Sequence, residues 1–268
     1  MDPIFEILPD KLEPEFTNLY CEVSEDSLLY FFQNDSDKVI SGLSYFKLTV
    51  ENVNSNFAVK NILDTNQVLR KQFNKVFIAY SFSEMVLVPE NMYQEMDEAS
   101  LIDTLYGEDI ERKILMDNVP ELEVNNYYSV PLNLHTYIQT HCPEADFKHS
   151  VSYLLKQPFS AGTTINVLFY QCKFLCTVWK DGKLLLSNNF RFLSAEDVVY
   201  HLLNICKQLN IPELPSLLIG GMIEKDSALA VEIKKYFNKV EFDNHNAKLS
   251  ENLLYFPSHY FSHMFSIA

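Results

Sequence analysis

One arrangement occurs twice in this chain: three adjacent extended segments, an amphipathic helix, then a short buried strand. In the first half the extended segments are Asn18 to Val23, Leu28 to Gln33 and Val39 to Val50, followed by a helix over Phe57 to Phe73 and a strand from Val76 to Tyr80. In the second half the order returns as Thr163 to Tyr170, Lys173 to Trp179 and Lys183 to Phe190, a helix over Ala195 to Leu209 and a strand from Leu217 to Gly220. Corresponding segments start roughly 140 residues apart, and duplication of a whole domain is the simplest account. A chain of 268 residues, 47% of them apolar, can bury one large core or two smaller ones. The duplication selects two: a first domain over residues 1–144 and a second over 145–268.

Local signals support this division. Ser24, Glu25, Asp26 and Ser27 separate the first two strands and suit a tight hairpin connection. Lys180-Asp181-Gly182-Lys183 does the same in the second half, where Asp-Gly supplies the positive φ angles of a two-residue turn. Ser194 and Asp197 form a capping-box pattern ahead of Val198, Leu202, Ile205, Cys206 and Leu209 at helical spacing, and Pro212 and Pro215 end that helix. A second helix over Asp226 to Phe237 precedes an extended Val240 and Phe242, so the strands on either side of it should run parallel. Each half therefore reads as an antiparallel meander with a parallel tail, a mixed five-stranded sheet flanked by helices. Between the halves, Val124 to Val130 reads as a strand and Asn133 to His141 as a helix, and no Ser/Gly-rich linker marks the join. The aromatic tail with Tyr255, Phe256, Tyr260, Phe261 and Phe265 should pack back on the body.

Charge narrows the partners. Asp and Glu number 36 against 21 Lys and Arg, a formal net charge of -15. That field repels nucleic acid and anionic membrane surfaces alike. Much of the acid lies between Glu84 and Glu123, with only Arg112 and Lys113 opposing it. A solvated face or loop is the plain reading, and a docking surface for a basic protein partner is the sharper one. The N-terminus, Met1 to Leu12, lacks a basic region followed by an apolar one, and no apolar run approaches bilayer length, so a cytoplasmic, soluble protein is expected. Five scattered cysteines, Cys21, Cys142, Cys172, Cys176 and Cys206, read as reduced core thiols, with Cys172 and Cys176 on one strand face.

Three strands of a meander, a helix, then alternating strands and helices, all duplicated, resembles the actin-like ATPase superfamily, whose domains share the ribonuclease H-like fold. Val86-Leu87-Val88-Pro89, and Lys148-His149-Ser150 ahead of Tyr153-Leu154-Leu155, are similar to one uncharacterised bacterial family within it, known only as a domain of unknown function. The resemblance implies the fold and says little about activity. In ATP-using members the first hairpin of each domain carries an acidic residue and glycines at the phosphates, and a small-residue pair after a strand of the second domain lines the adenosine. Magnesium prefers carboxylate and water oxygens, and backbone amides reach phosphate only where side chains are absent.

Measured against that need, Val167-Leu168-Phe169-Tyr170-Gln171-Cys172 holds neither carboxylate nor glycine, while the first hairpin has Glu22 and Asp26 but no glycine. Both phosphate loops read as degenerate. Gly220 and Gly221, two of only six glycines, close a parallel strand where ligands commonly bind, and they are the candidate adenosine contact; a tight turn needing positive φ is the competing reading. No residue is assigned to catalysis or to a metal. His259 and His263 have helical metal-pair spacing without a third ligand, Asp35 and Asp37 lie in a polar turn, and His201 reads as a structural histidine of the capped helix. Three functions follow in order of preference. The first is a non-catalytic scaffold or assembly factor, a pseudo-ATPase binding a protein partner. The second is a diverged ATP- and magnesium-using protein working in the interdomain cleft. The third is a metal-dependent nuclease, which the acidic charge and the missing carboxylate quartet oppose.

Overall fold

The computed structural model describes residues 2–48, 55–95, 98–156, 162–211, 214–244, 246–265 and 267–268. Residues 49–50, Asp97 and Pro212, assigned above to a strand end, the acidic stretch and a helix end, lie outside them. The chain divides into two compact units, Met1–Lys156 with Ala247–Tyr255 and Ala268, and Gln157–Asn246 with Phe256–Ile267.

The first unit is built on strands β1 (Phe5–Ile7), β2 (Thr17–Val23), β3 (Ser27–Asn34) and β4 (Val39–Lys47), helix α1 (Ser55–Thr65) and strand β5 (Lys75–Tyr80). Then come β6 (Met85–Pro89), α2 (Glu98–Tyr106), β7 (Arg112–Val119), β8 (Val124–Pro131), α3 (Leu132–His141), β9 (Asp146–His149) and α4 (Ser150–Leu154). The main sheet runs β1-β4-β3-β2-β5-β9, with β5 and β9 parallel to their neighbours and the meander antiparallel. Every residue of the central strand β2 is buried, because helices or packed segments cover both faces. On one face Tyr20 stacks between Phe31 and Phe77, with ring centroids 5.0 and 4.6 Å apart. Ala58, Val59 and Ile62 of α1 and Leu134 and Ile138 of α3 supply further buried side chains at helical spacing. Helix α1 stops at Thr65, short of the expected Phe73, for a local reason: the Asn66 side chain accepts from the amides of Val68 and Leu69 and turns the chain away from helix.

The acidic stretch is structured where it is described. It forms α2 and two strands of an antiparallel sheet ordered β6-β8-β7, of which the sequence shows only β8 plainly. Val88, Ile102 and Tyr127 make its small core. Arg112, its side chain only 5% exposed, ties this insert together through Glu84, Asp103 and the carbonyl of Gly107.

The second unit holds β10 (Thr163–Phe169), β11 (Lys173–Lys180), β12 (Lys183–Arg191), α5 (Ala195–Gln208), β13 (Ser216–Gly221), α6 (Ala228–Tyr236) and β14 (Val240–Phe242). Its sheet runs β12-β11-β10-β13-β14, third, second, first, fourth and fifth strand across. The central five of the first sheet, β4-β3-β2-β5-β9, keep that same order. Asp181 and Gly182 both take positive φ, 50° and 78°, as the hairpin requires. The Ser194/Asp197 capping box is complete, and α5 buries Val198, Leu202, Ile205 and Cys206 against Ile165, Val167, Phe174 and Ile219 of the sheet.

The structure adds detail at two points. The first unit extends past residue 144, since β9 pairs in parallel with β5 and α4 follows it before the division at Lys156. Its sheet also carries two strands beyond the five: β1 and β15 (Lys248–Leu249) share the outer edge of β4, so part of the tail returns to the first unit. Phe256–Ile267, including α7 (Ser262–Phe265), belongs to the second unit.

Candidate functional site

Open α/β sheets bind ligands beyond the carboxyl ends of their parallel strands. In the first sheet Val23, Tyr80 and His149 stand in register, so the segments leaving them, Ser24 to Ser27, Ser81 to Ser83 and Ser150, begin along one edge. Their polar groups are turned on one another. The Ser24 hydroxyl accepts from the amides of Asp26 (3.3 Å) and Ser27 (3.0 Å) and donates to the Asp26 carboxylate at 2.8 Å. The Ser24 amide donates to the Ser27 carbonyl, and the Ser81 amide to the carbonyl of Val23. The Ser83 amide donates to Glu25, and the Ser81 hydroxyl to Glu22, both at 2.5 Å. Glu22 and Asp26 are buried, at 4% and 8% exposure. A phosphate cradle needs amide hydrogens facing outward, and here five amides are spent on the chain's own oxygens.

A second polar group adjoins this edge. The buried Asp117 carboxylate of β7 accepts from the His149 amide at 2.7 Å and from the Tyr128 hydroxyl at 3.2 Å. His149 accepts from the Val151 amide at Nδ1 and faces the Phe82 carbonyl through Nε2, which fixes the proton on Nε2. Burial pushes the Asp117 carboxyl above the usual range, against the pull of its donors, and pushes the Tyr128 phenol up as well. Asp117, Ser81 and Tyr128 carry no spacing that singles them out in the sequence, and His149 enters there only within a short string.

The second sheet presents a different edge. Gly221 is paired with Phe169 in register and takes φ +87°, and a Cβ on it would stand 2.1 Å from the Phe169 carbonyl oxygen. Its glycine identity is therefore required by the chain's own backbone. The Met222 amide closes the same turn onto the Phe169 carbonyl at 2.9 Å. The tail lies over this edge. The Gly221 amide donates to the His259 carbonyl at 2.7 Å, and a Cβ on Gly220 would meet the Ser262 hydroxyl at 3.2 Å. At the hairpin where phosphates would be gripped, the Tyr170 ring is buried, with His263 edge-on at 5.9 Å and the Lys173 ammonium 5.3 Å from its centroid. His259 is fully buried, its Nε2 on the Ile223 carbonyl at 2.8 Å and its ring 4.7 Å from that of Phe242. Burial holds its pKa below the ordinary imidazole value.

The remaining candidates scatter. His259 precedes α7 and His263 lies within it, so the two do not share a helix. Asp35 pairs with Lys38 and accepts from Asn18, and Asp37 caps the amide of Val39. His201 packs against Phe190. Cys21, Cys176 and Cys206 are buried, Cys142 is half-buried, and Cys172 is exposed because the strand begins one residue after it, at Lys173. Among the described residues no three His, Cys, Asp or Glu side chains gather as a metal site, and no helix is long and apolar enough to cross a membrane.

Comparison with solved structures gives the fold its relatives. A Bacteroides thetaiotaomicron protein with actin-like ATPase fold and unknown function superposes with a TM-score of 0.77 at 18% identity, over 86% of this chain and 91% of that one. The PilM–PilN type IV pilus biogenesis complex gives 0.56 at 12% identity, over 93% and 96%. The ethanolamine utilization protein EutJ from Carboxydothermus hydrogenoformans gives 0.51 at 7%, over 97% and 91%. The fold is thus the actin-like ATPase fold. No curated protein matches the chain. The model of the family described as "Protein of unknown function (DUF3822)" matches residues 9–240, and the chain belongs to that family.

Proposed function

We propose that this chain is a non-catalytic user of the actin-like fold, a cytoplasmic scaffold or assembly factor that binds a protein and not nucleic acid or a membrane. One observation carries the reading: the loops that would grip a triphosphate have their amides turned inward in the first unit and are covered by the 259–265 segment in the second. Glycine-free loops with inward amides offer phosphate oxygens no donors, and Tyr170 puts a ring where backbone would have to approach. For the partner, the exposed carboxylates of Glu108, Asp109 and Glu111 surround the exposed Ile110 in the segment that leads into β7. That combination suits a basic protein partner with an apolar anchor. An assembly role is also an analogy with the PilM–PilN type IV pilus biogenesis complex, and it rests on architecture alone.

A second reading keeps nucleotide binding, and the placement of Gly220 and Gly221 at the carboxyl end of β13 favours it. Thermal unfolding with and without millimolar magnesium-ATP separates the two. A ligand present at about 100 times its Kd stabilises by about 2.7 kcal/mol and would raise the midpoint by several degrees. The scaffold reading expects no rise; a saturable rise would replace it with the nucleotide-binding one.

A further inference from the structure

We propose that the first unit carries a binding site for a medium-chain amphipathic anion, a fatty-acid-like carboxylate, on the helix-covered face of its sheet. A cavity of about 240 Å³ lies there between α1, α3 and the strands. Its walls are Leu19, Cys21 and Val23 of β2, Ile78 of β5, Leu63 of α1 and Ile138 of α3. Alternation along β2 and β5 puts those strand side chains on one face. An apolar cavity of about 150 Å³ takes up benzene, and this one is roughly one and a half times that size, room for a medium-length alkyl chain.

The mouth has the opposite chemistry. It is formed by the segments leading into β5 and β9, where Arg70, Lys71, His141 and Cys142 line the opening. In a chain of net charge -15, Arg70 and Lys71 are exposed and form no ion pair among the described residues. The turn that carries them is pinned: the Asn66 side chain holds the amides of Val68 and Leu69, and the Lys71 amide donates to the Val68 carbonyl. His141 is fixed by stacking on Tyr137 at 4.1 Å and by contact between its Nδ1 and the Tyr137 carbonyl at 2.8 Å. The nearby acid, Asp64, is engaged by the Tyr137 hydroxyl. An apolar recess behind two unpaired cations on a braced rim matches a ligand with an alkyl tail and an anionic head. The mouth of the site lies at the start of the parallel strands, and the proposal does not rest on whether nucleotide binds at their carboxyl ends.

Sodium octanoate is the probe, with 1-octanol and octylamine as chain-matched controls, all titrated into the full chain by calorimetry. Location is read from alkylation of half-buried Cys142, with exposed Cys172 as the internal reference. The expected result is saturable octanoate binding that slows Cys142 labelling severalfold and leaves Cys172 unchanged. The double substitution Arg70→Ala/Lys71→Ala should weaken octanoate about tenfold, the loss of a charge-assisted contact, and leave 1-octanol unaffected. Leu69→Trp, at the half-exposed mouth, should block both without disturbing the core. Absence of saturable octanoate binding at millimolar concentration, or binding without Cys142 protection, overturns the site. Equal affinity for octylamine, or indifference to the double substitution, overturns the anionic assignment.

Discussion

The Gly221 amide donates a 2.7 Å hydrogen bond to the carbonyl of His259, so the carboxyl end of β13 is closed by a residue from the far end of the chain. That bond, with the approach of Ser262 to Gly220, makes the tail a structural part of the second unit's sheet edge. The same glycine pair that reads as a ligand contact is thereby given a second use. It lets backbone lie on backbone.

Replacing either glycine should separate these uses. Gly221→Ala forces a side chain into the left-handed region and onto the Phe169 carbonyl; the backbone strain alone costs about 1–3 kcal/mol. A lowered midpoint in urea unfolding is expected. Gly220→Ala meets the Ser262 hydroxyl at 3.2 Å and otherwise makes only ordinary contacts, at 3.6 Å, with Asp243 and Leu168, and a small shift of Ser262 should hold the loss well below that of Gly221→Ala. Equal losses from the two would show that Ser262 cannot yield and that the tail is held rigidly over Gly220.

His259 gives the second unit a pH dependence. Burial lowers its pKa, Nε2 is committed to the Ile223 carbonyl, and Nδ1 has no hydrogen-bond partner. A proton added to Nδ1 would be buried without an acceptor. Because the unfolded chain takes that proton near pH 6.5 and the folded chain resists it, the stability is fully present above about 6.5 and is lost progressively as pH falls from there toward the lowered folded-state value. His135, also lowered by burial, adds to the slope from the first unit. Melting curves from pH 7.5 to 5.5 should show a falling midpoint, and His259→Gln, which can keep the donor to Ile223, should flatten the part that belongs to the second unit. An unchanged slope in that variant would remove His259 from the account.

What the sequence revealed about this fold is what neighbouring residues decide among themselves. The Asp181-Gly182 turn, the Ser194/Asp197 cap and the period-two strands are written within a few residues of one another, and they stand where expected. The end of α1 is equally local, yet its cause is a side chain, Asn66, whose turn competes with a helix pattern that runs on to Phe73. The closures at the sheet edges are of another kind. Asp117 meets the His149 amide across 32 positions and His259 meets the Ile223 carbonyl across 36, and no spacing rule reaches that far. The β6-β8-β7 sheet hid because Arg112 and its carboxylates look like surface charge until burial of the guanidinium is seen.

That guanidinium should be the keystone of the insert. Glu84 and Asp103 are 41% and 35% exposed and can rehydrate when it is lost, so Arg112→Met should cost about 1.5–3 kcal/mol, the range of hydrogen bonds to charged groups, and not the full penalty of a stranded buried charge. Hydrogen exchange should accelerate in α2 and β7 and stay unchanged in the second unit. Unaltered protection across residues 98–119 would mean the apolar core of Val88, Ile102 and Tyr127 holds the insert by itself.

The first sheet's edge offers the sharpest test of inward-turned loops. The Ser81 hydroxyl donates to the Glu22 carboxylate, which is 4% exposed and cannot recover the lost partner from water. Ser81→Ala should therefore destabilise by about 1–3 kcal/mol, the cost of weakening the satisfaction of a buried acceptor. Glu22→Gln in the same background should recover part of that loss, since a neutral amide tolerates burial better than a carboxylate. If Glu22 instead faces a cation or a phosphate-bound metal in the working protein, the order reverses: Ser81→Ala becomes mild, and Glu22→Gln abolishes any magnesium-dependent rise in melting temperature. A double-mutant cycle on these two positions, run with and without magnesium-ATP, distinguishes a carboxylate that holds the fold from one that holds a ligand.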